Sequence, residues 1–167
     1  MTMRRLQKVL GAGLTAATLM SSVAAACVTV EELRADQVRF LDMQLRVAAL
    51  QCRDRGNGFP GLYNAFVLTH RKSIQASREP VERYLARATR INIDNYTTNL
   101  ANRISLASIK VENFCEEAAL SAVFMVELAN PLDGLDLMPI DYSPPRGMCA
   151  DTAMMLGETR LGPATLR

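Results

Sequence analysis

Apolar residues between Thr29 and Arg53 repeat with the period of an α-helix, and they do so on two faces. At about 100° per residue, two opposed stripes emerge on the helical wheel. One stripe contains Val38, Leu41, Leu45, Ala48 and Cys52, and the other contains Phe40, Met43, Val47 and Leu50. A helix that is apolar on two sides must be covered on two sides. The pattern therefore predicts that this helix is the central element of a small bundle.

Glutamines form a polar seam between the two stripes, at Gln37, Gln44 and Gln51. This seam either lies open between two covering layers or is partly buried, with hydrogen bonds to polar residues such as Asn99 and Asn102. Neither interpretation makes the glutamines catalytic. We take either the groove beside the seam or the polar face near the two asparagines as a possible partner surface.

Capping residues and prolines indicate where the helices begin. Thr29 and Glu32 form a capping box at the start of the first helix, and Pro60 suits the first turn of a second. Pro80 interrupts the pattern that follows, so either one helix bends near Ser77 or a new helix opens at 80–90 with Ser77 as its cap.

Two further helices follow. Asn92 can cap a third helix. A last helix, Phe114 to Ala129, is almost wholly apolar beyond Glu117, which predicts a buried helix that packs antiparallel to the first.

The chain beyond Asn130 contains four prolines in twenty residues together with many apolar side chains. Prolines exclude a continuous helix, and the apolar residues suit a segment that wraps over the bundle. The sequence thus predicts an all-α, disulfide-stapled bundle of four to five helices with a proline-rich C-terminal wrap. Its expected divisions are 1–26, 27–130 and 131–167.

The first of these divisions has the layout of a secretory signal peptide. Arg4, Arg5 and Lys8 precede an apolar run that is too short for a permanent membrane span, and small residues end at Ala26. Cleavage there would leave 16 basic residues against 17 acidic ones, so nucleic acid and acidic membranes are not expected partners. The expected location is periplasmic or secreted, with no integral membrane span.

Four cysteines remain after such cleavage, and an even number in an exported chain implies disulfides. Three pairings are possible. We favour Cys52–Cys115, because the end of the first helix meets the start of an antiparallel last helix, and this leaves Cys27–Cys149. Alternatively Cys27 carries a lipid anchor, although Ala24 stands where the lipoprotein motif usually has leucine.

His70 is the only histidine, and no carboxylate near it in sequence could orient its ring. We interpret it as a residue at the edge of a buried stripe. No catalytic, cofactor-binding or metal-binding residue is assigned. The alternative is a periplasmic copper carrier or a small hydrolase that uses His70 or the sulfur-rich tail. That tail contains Met148, Cys149, Met154 and Met155.

Four segments, LRVAALQC, LYNAFVLTHRKSI, TTNLANRISLAS and NFC, resemble a group of small exported helical proteins of Gram-negative bacteria without assigned function. The likeness spans about Leu41 to Cys115. Its best-defined positions are Cys52, Tyr63, Asn64, Phe66, Asn102 and Cys115. The resemblance implies that Cys52 and Cys115 form the common pair and that Cys27 and Cys149 are additional. The expected function is that of an exported, non-enzymatic envelope protein that binds or scaffolds an unknown partner.

Overall fold

A computed structural model describes residues 27–55, 58–89, 91–145, 147–149 and 152–154. The predicted signal peptide, Met155 and the end of the chain lie outside these residues. The bundle is built from the α-helices α1 (Val30–Gln51), α2 (Phe59–Thr69), α3 (Arg71–Ala76), α4 (Arg78–Ala88), α5 (Ile93–Ser108) and α6 (Phe114–Glu127). Two 3₁₀ helices span Arg53–Arg55 and Pro131–Leu137. The described residues include no β-strand, so the all-α class is confirmed.

Helix α1 is the central element, as its two apolar stripes predict. Its capping box is present, with Thr29 and Glu32 each bonded to the other's backbone N–H. One stripe joins a core shared with α2 and α6, and the other packs against Leu100 and Ile104 of α5. Leu50 is the exception, because its side chain is exposed.

The segment between α1 and α5 is divided more finely than its sequence suggests. The chain breaks at His70 as well as at Ser77, so α2, α3 and α4 stand where one or two helices were expected. Pro80 lies in the first turn of α4, where its missing N–H removes no helical bond. The expected side-chain cap from Ser77 is wrong, because its hydroxyl donates back to the Ile74 carbonyl instead.

After the second 3₁₀ helix, residues 138–145 and 147–149 return to the N-terminal end of α1, and we call them the C-terminal strap. Next to its start, the Ser121 hydroxyl lies 2.5 Å from the Leu137 carbonyl. At its end, the Val28 N–H donates to the Gly147 carbonyl and the Cys149 N–H donates to the Val28 carbonyl, each at 2.9 Å. The strap is therefore held by the backbone at its C-terminal end.

Both favoured disulfides are confirmed. Cys52 and Cys115 join the residue after α1 to the first turn of α6, and Cys27 and Cys149 join the start of the described chain to the end of the strap. The first bond fixes the register of α6 along α1. The second closes the strap over the bundle.

Gly134 of the second 3₁₀ helix is pressed against α6, and we expect a Gly134→Ala substitution to be destabilising. A Cβ at this position would overlap the Sδ atom of buried Met125 and approach Leu128 Cδ1 to 2.9 Å. Such overpacking costs about 1–3 kcal/mol, measurable by urea denaturation. Gly61→Ala is the control: it has open space within α2 and should leave stability unchanged or slightly higher. Equal effects of the two substitutions would contradict this packing.

Candidate functional site

Gln44, from the centre of the predicted partner surface, is fully buried. Its Nε2 donates to the Ile140 carbonyl at 3.1 Å, and its Oε1 accepts from the Ile140 N–H at 2.8 Å. The side chain thus pairs with the backbone of the strap as another peptide group would. Gln44 holds the fold together and offers nothing to a partner. The buried interpretation of the seam applies at this position, although its bonding partner is neither predicted asparagine.

The other four residues of that predicted surface differ in how far they are exposed to solvent. Gln37 is half-buried, and Gln51 is exposed while accepting a hydrogen bond from the Ser108 hydroxyl at 2.9 Å. Asn99 and Asn102 are exposed on α5. The five residues therefore do not form one continuous exposed surface.

A buried carboxylate that the sequence analysis did not single out lies where α1, α5 and the strap meet. Asp36 accepts hydrogen bonds from the hydroxyl of Tyr96 on α5 and from that of Tyr142 on the strap, the latter at 2.6 Å. A sequence signal for it existed. Asp36 precedes Phe40 by one helical turn and so continues the second apolar stripe of α1 into the core.

Burial controls the electrostatics of this cluster. Burial raises the pKa of Asp36, and the two tyrosine hydrogen bonds and nearby Arg103 and Arg39 offset this only in part. Burial together with the Asp36 charge also raises the pKa of both Tyr96 and Tyr142. The phenols therefore remain protonated donors, and the carboxylate is their shared acceptor.

A small cavity of about 140 Å³ lies beside the cluster. Its lining residues are Asp36, Phe40, Leu100, Arg103, Ile104, Ala107, Ile140, Asp141, Tyr142 and Ser143. Both carboxylate oxygens of Asp36 already accept a hydrogen bond from a tyrosine. The arrangement is suited to fixing the strap across α1 and α5.

Stability should respond to pH through Asp36. Because its pKa is raised on folding, its favourable contribution is complete below the ordinary value of 3.8 and is lost as the pH rises through the raised value. We expect the wild type to lose stability relative to Asp36→Asn over this window, with a slope of at most about 1.4 kcal/mol per pH unit. Urea denaturation of both proteins from acid to neutral pH measures the slope. Parallel curves for the two proteins would contradict the buried carboxylate.

The residues proposed for the alternative metal or hydrolase function have structural contacts. His70 is 2% exposed, its ring contacts Phe66, and its Nε2 donates to the Met125 carbonyl at 2.6 Å. Cys149 is in a disulfide, and Met154 is exposed. Among the described residues, no group of three or more His, Cys, Asp and Glu is placed to hold a metal ion.

An ion pair ties α4 to the start of α1. Arg87 Nη1 lies 2.8 Å from an oxygen of Glu32, whose side chain is 3% exposed. Burial alone would raise the pKa of Glu32, but hydrogen bonds from Arg87 and Thr29 outweigh it, so the pKa is lowered. This carboxylate also belongs to the helix cap and is thus a structural group.

Helix α6 is covered on one face only, so the expectation that it is buried all round is wrong. Ala118, Ala122 and Met125 are fully buried, whereas Leu120, Val123 and Phe124 are 55%, 51% and 55% exposed. The flanking carboxylates Glu116, Glu117 and Glu127 are also exposed. This side of α6 is an apolar surface that no other described element covers.

Comparison with protein-family models, curated proteins and solved structures finds no match to this chain. The resemblance to exported helical proteins therefore stays a prediction. None of the helices in the described ranges is both long enough and apolar enough to cross a membrane.

Proposed function

We propose that this chain is an exported, non-enzymatic protein of the bacterial cell envelope whose function is to bind or scaffold a partner protein. Export is supported by the signal-peptide layout of 1–26 and by two disulfides, which form and persist in oxidising compartments such as the periplasm. The disulfides and the buried contacts of Gln44, Asp36 and His70 make the bundle a rigid framework.

The observation that carries partner binding is the exposed side of α6. Three large apolar side chains, Leu120, Val123 and Phe124, each expose more than half of their surface on neighbouring turns of one helix. Single exposed apolar residues are ordinary, but contiguous apolar patches mark interaction surfaces. A rigid helix that presents such a patch loses little conformational entropy on binding.

Site-specific photo-crosslinking in Gram-negative cells that export the protein to the periplasm tests this proposal. A photoreactive residue would replace Phe124 on α6, Asn102 on the polar face of α5, or exposed Lys110 as a control. We expect one adduct of defined mass from Phe124 or Asn102 and none from Lys110. No adduct from either test position, in cells where the protein is correctly exported, would contradict a partner-binding function.

A further inference from the structure

The exposed side of α6 combines apolar and acidic residues in a definite order. At about 100° per residue, Glu116, Leu120, Val123, Phe124 and Glu127 fall on one side of the helix, opposite the buried alanines. Glu117 lies at its edge. We call these six residues the α6 face. Its apolar middle is thus bounded by carboxylates at both ends, and α6 contains no lysine or arginine.

The dimensions of this face follow from helix geometry. Glu116 and Glu127 are separated by about 16 Å along the axis, which is three helical turns. A segment lying on the face would place apolar side chains against Leu120, Val123 and Phe124, and it would meet a negative charge at each end. A peptide segment that complements this face is therefore short, amphipathic and positively charged at both ends.

Resting on the proposed function, we propose that the α6 face docks a helical segment of a partner protein with apolar residues at its centre and lysine or arginine at both ends. Amphipathic helices bind apolar surfaces through residues at i, i+3, i+4 and i+7. Complementary charges at the rim set orientation and select against other partners. The specificity of the face would come from its carboxylates and its affinity from Phe124 and its apolar neighbours.

Charge also argues against two other occupants. A second copy pairing through the same face would bring Glu116 and Glu117 near another glutamate in either helix orientation, and like charges oppose this contact. An anionic lipid surface would be repelled by the same carboxylates. Both remain measurable outcomes of the test below.

The direct test uses synthetic peptides and the disulfide-bonded protein purified from the periplasm. One peptide of about 15 residues carries a leucine stripe with lysines at both ends, and a matched peptide carries glutamates instead. We expect the lysine peptide to bind at least roughly tenfold more tightly by fluorescence anisotropy, and added salt to weaken its binding.

Variants of the protein locate the site. Phe124→Ser should weaken binding of the lysine peptide by roughly tenfold, and replacing Glu116, Glu117 and Glu127 by glutamine should remove the preference over the glutamate peptide. The control is Leu106→Ser on α5, which removes an apolar side chain 66% exposed and should leave binding unchanged. Thermal denaturation of each variant checks that its fold is retained.

The inference is overturned if both peptides bind equally or if Phe124→Ser leaves binding intact. It is also overturned if size-exclusion chromatography with light scattering shows a dimer that Phe124→Ser dissociates, or if anionic phosphatidylglycerol vesicles bind through this residue. A crosslink in cells from Asn102 alone would overturn it while leaving the proposed function standing. No crosslink from either position would instead remove the proposed function itself.

Discussion

Replacing Cys52 and Cys115 together by alanine is expected to lower the free energy of unfolding by about 4 kcal/mol. The bond joins residues 63 apart in sequence, so its removal restores a large amount of conformational entropy to the unfolded chain. It also fixes the end of α1 against the start of α6, where both cysteines are buried beside the main core.

Urea denaturation of the oxidised variant and wild type measures this effect. Serine substitution of Cys27 and Cys149 provides the comparison, because it removes the other bond and leaves Cys52–Cys115 intact. Reductant should lower the stability of the alanine variant only by the contribution of Cys27–Cys149, the bond that it retains. A loss below about 1 kcal/mol would show that this bond does not stabilise the native bundle.

Gln44→Met is expected to lower the free energy of unfolding by about 2–3 kcal/mol. The substitution keeps the approximate volume of a fully buried side chain but removes two hydrogen bonds to the Ile140 backbone. It leaves the N–H and carbonyl of Ile140 without these partners, and unmade hydrogen bonds in partly buried positions are costly. Hydrogen exchange at the Ile140 amide should accelerate as the strap loosens.

Gln37→Met is the matched control, since Gln37 belongs to the same seam but is only half-buried. It should change stability by less than about 0.5 kcal/mol. The opposite pattern would change the interpretation of Gln44. If Gln44→Met kept full stability and abolished crosslinking to a partner, the glutamine would be a binding residue, as the sequence analysis first suggested.

Local patterns predicted much of the fold because they depend on neighbours in sequence. The two stripes of α1, its capping box and the Asn92 cap of α5 all follow from short-range spacing. Cysteine pairing was also accessible, because one helix end had to meet another. The burial of His70 was not, since its ring bonds to the Met125 carbonyl on α6, a helix far away in sequence.

The candidate site was less predictable because periodicity identifies apolar faces without showing what covers them. The sequence of α6 is apolar around most of its circumference, yet only the side with Ala118 and Met125 is buried against the rest of the bundle. Gln37 and Gln44 look equivalent in sequence and differ in the structure. Their difference depends on the path of the irregular strap, which no local pattern specifies.

Mass spectrometry of the protein purified from the periplasm without reduction shows directly whether this is an exported bundle closed by two disulfides. We expect a chain that begins at Cys27, with peptides linked as Cys27–Cys149 and Cys52–Cys115 and no lipid attached. A chain that retains residues 1–26 with free thiols, or an acylated Cys27 beside an unpaired Cys149, would contradict it.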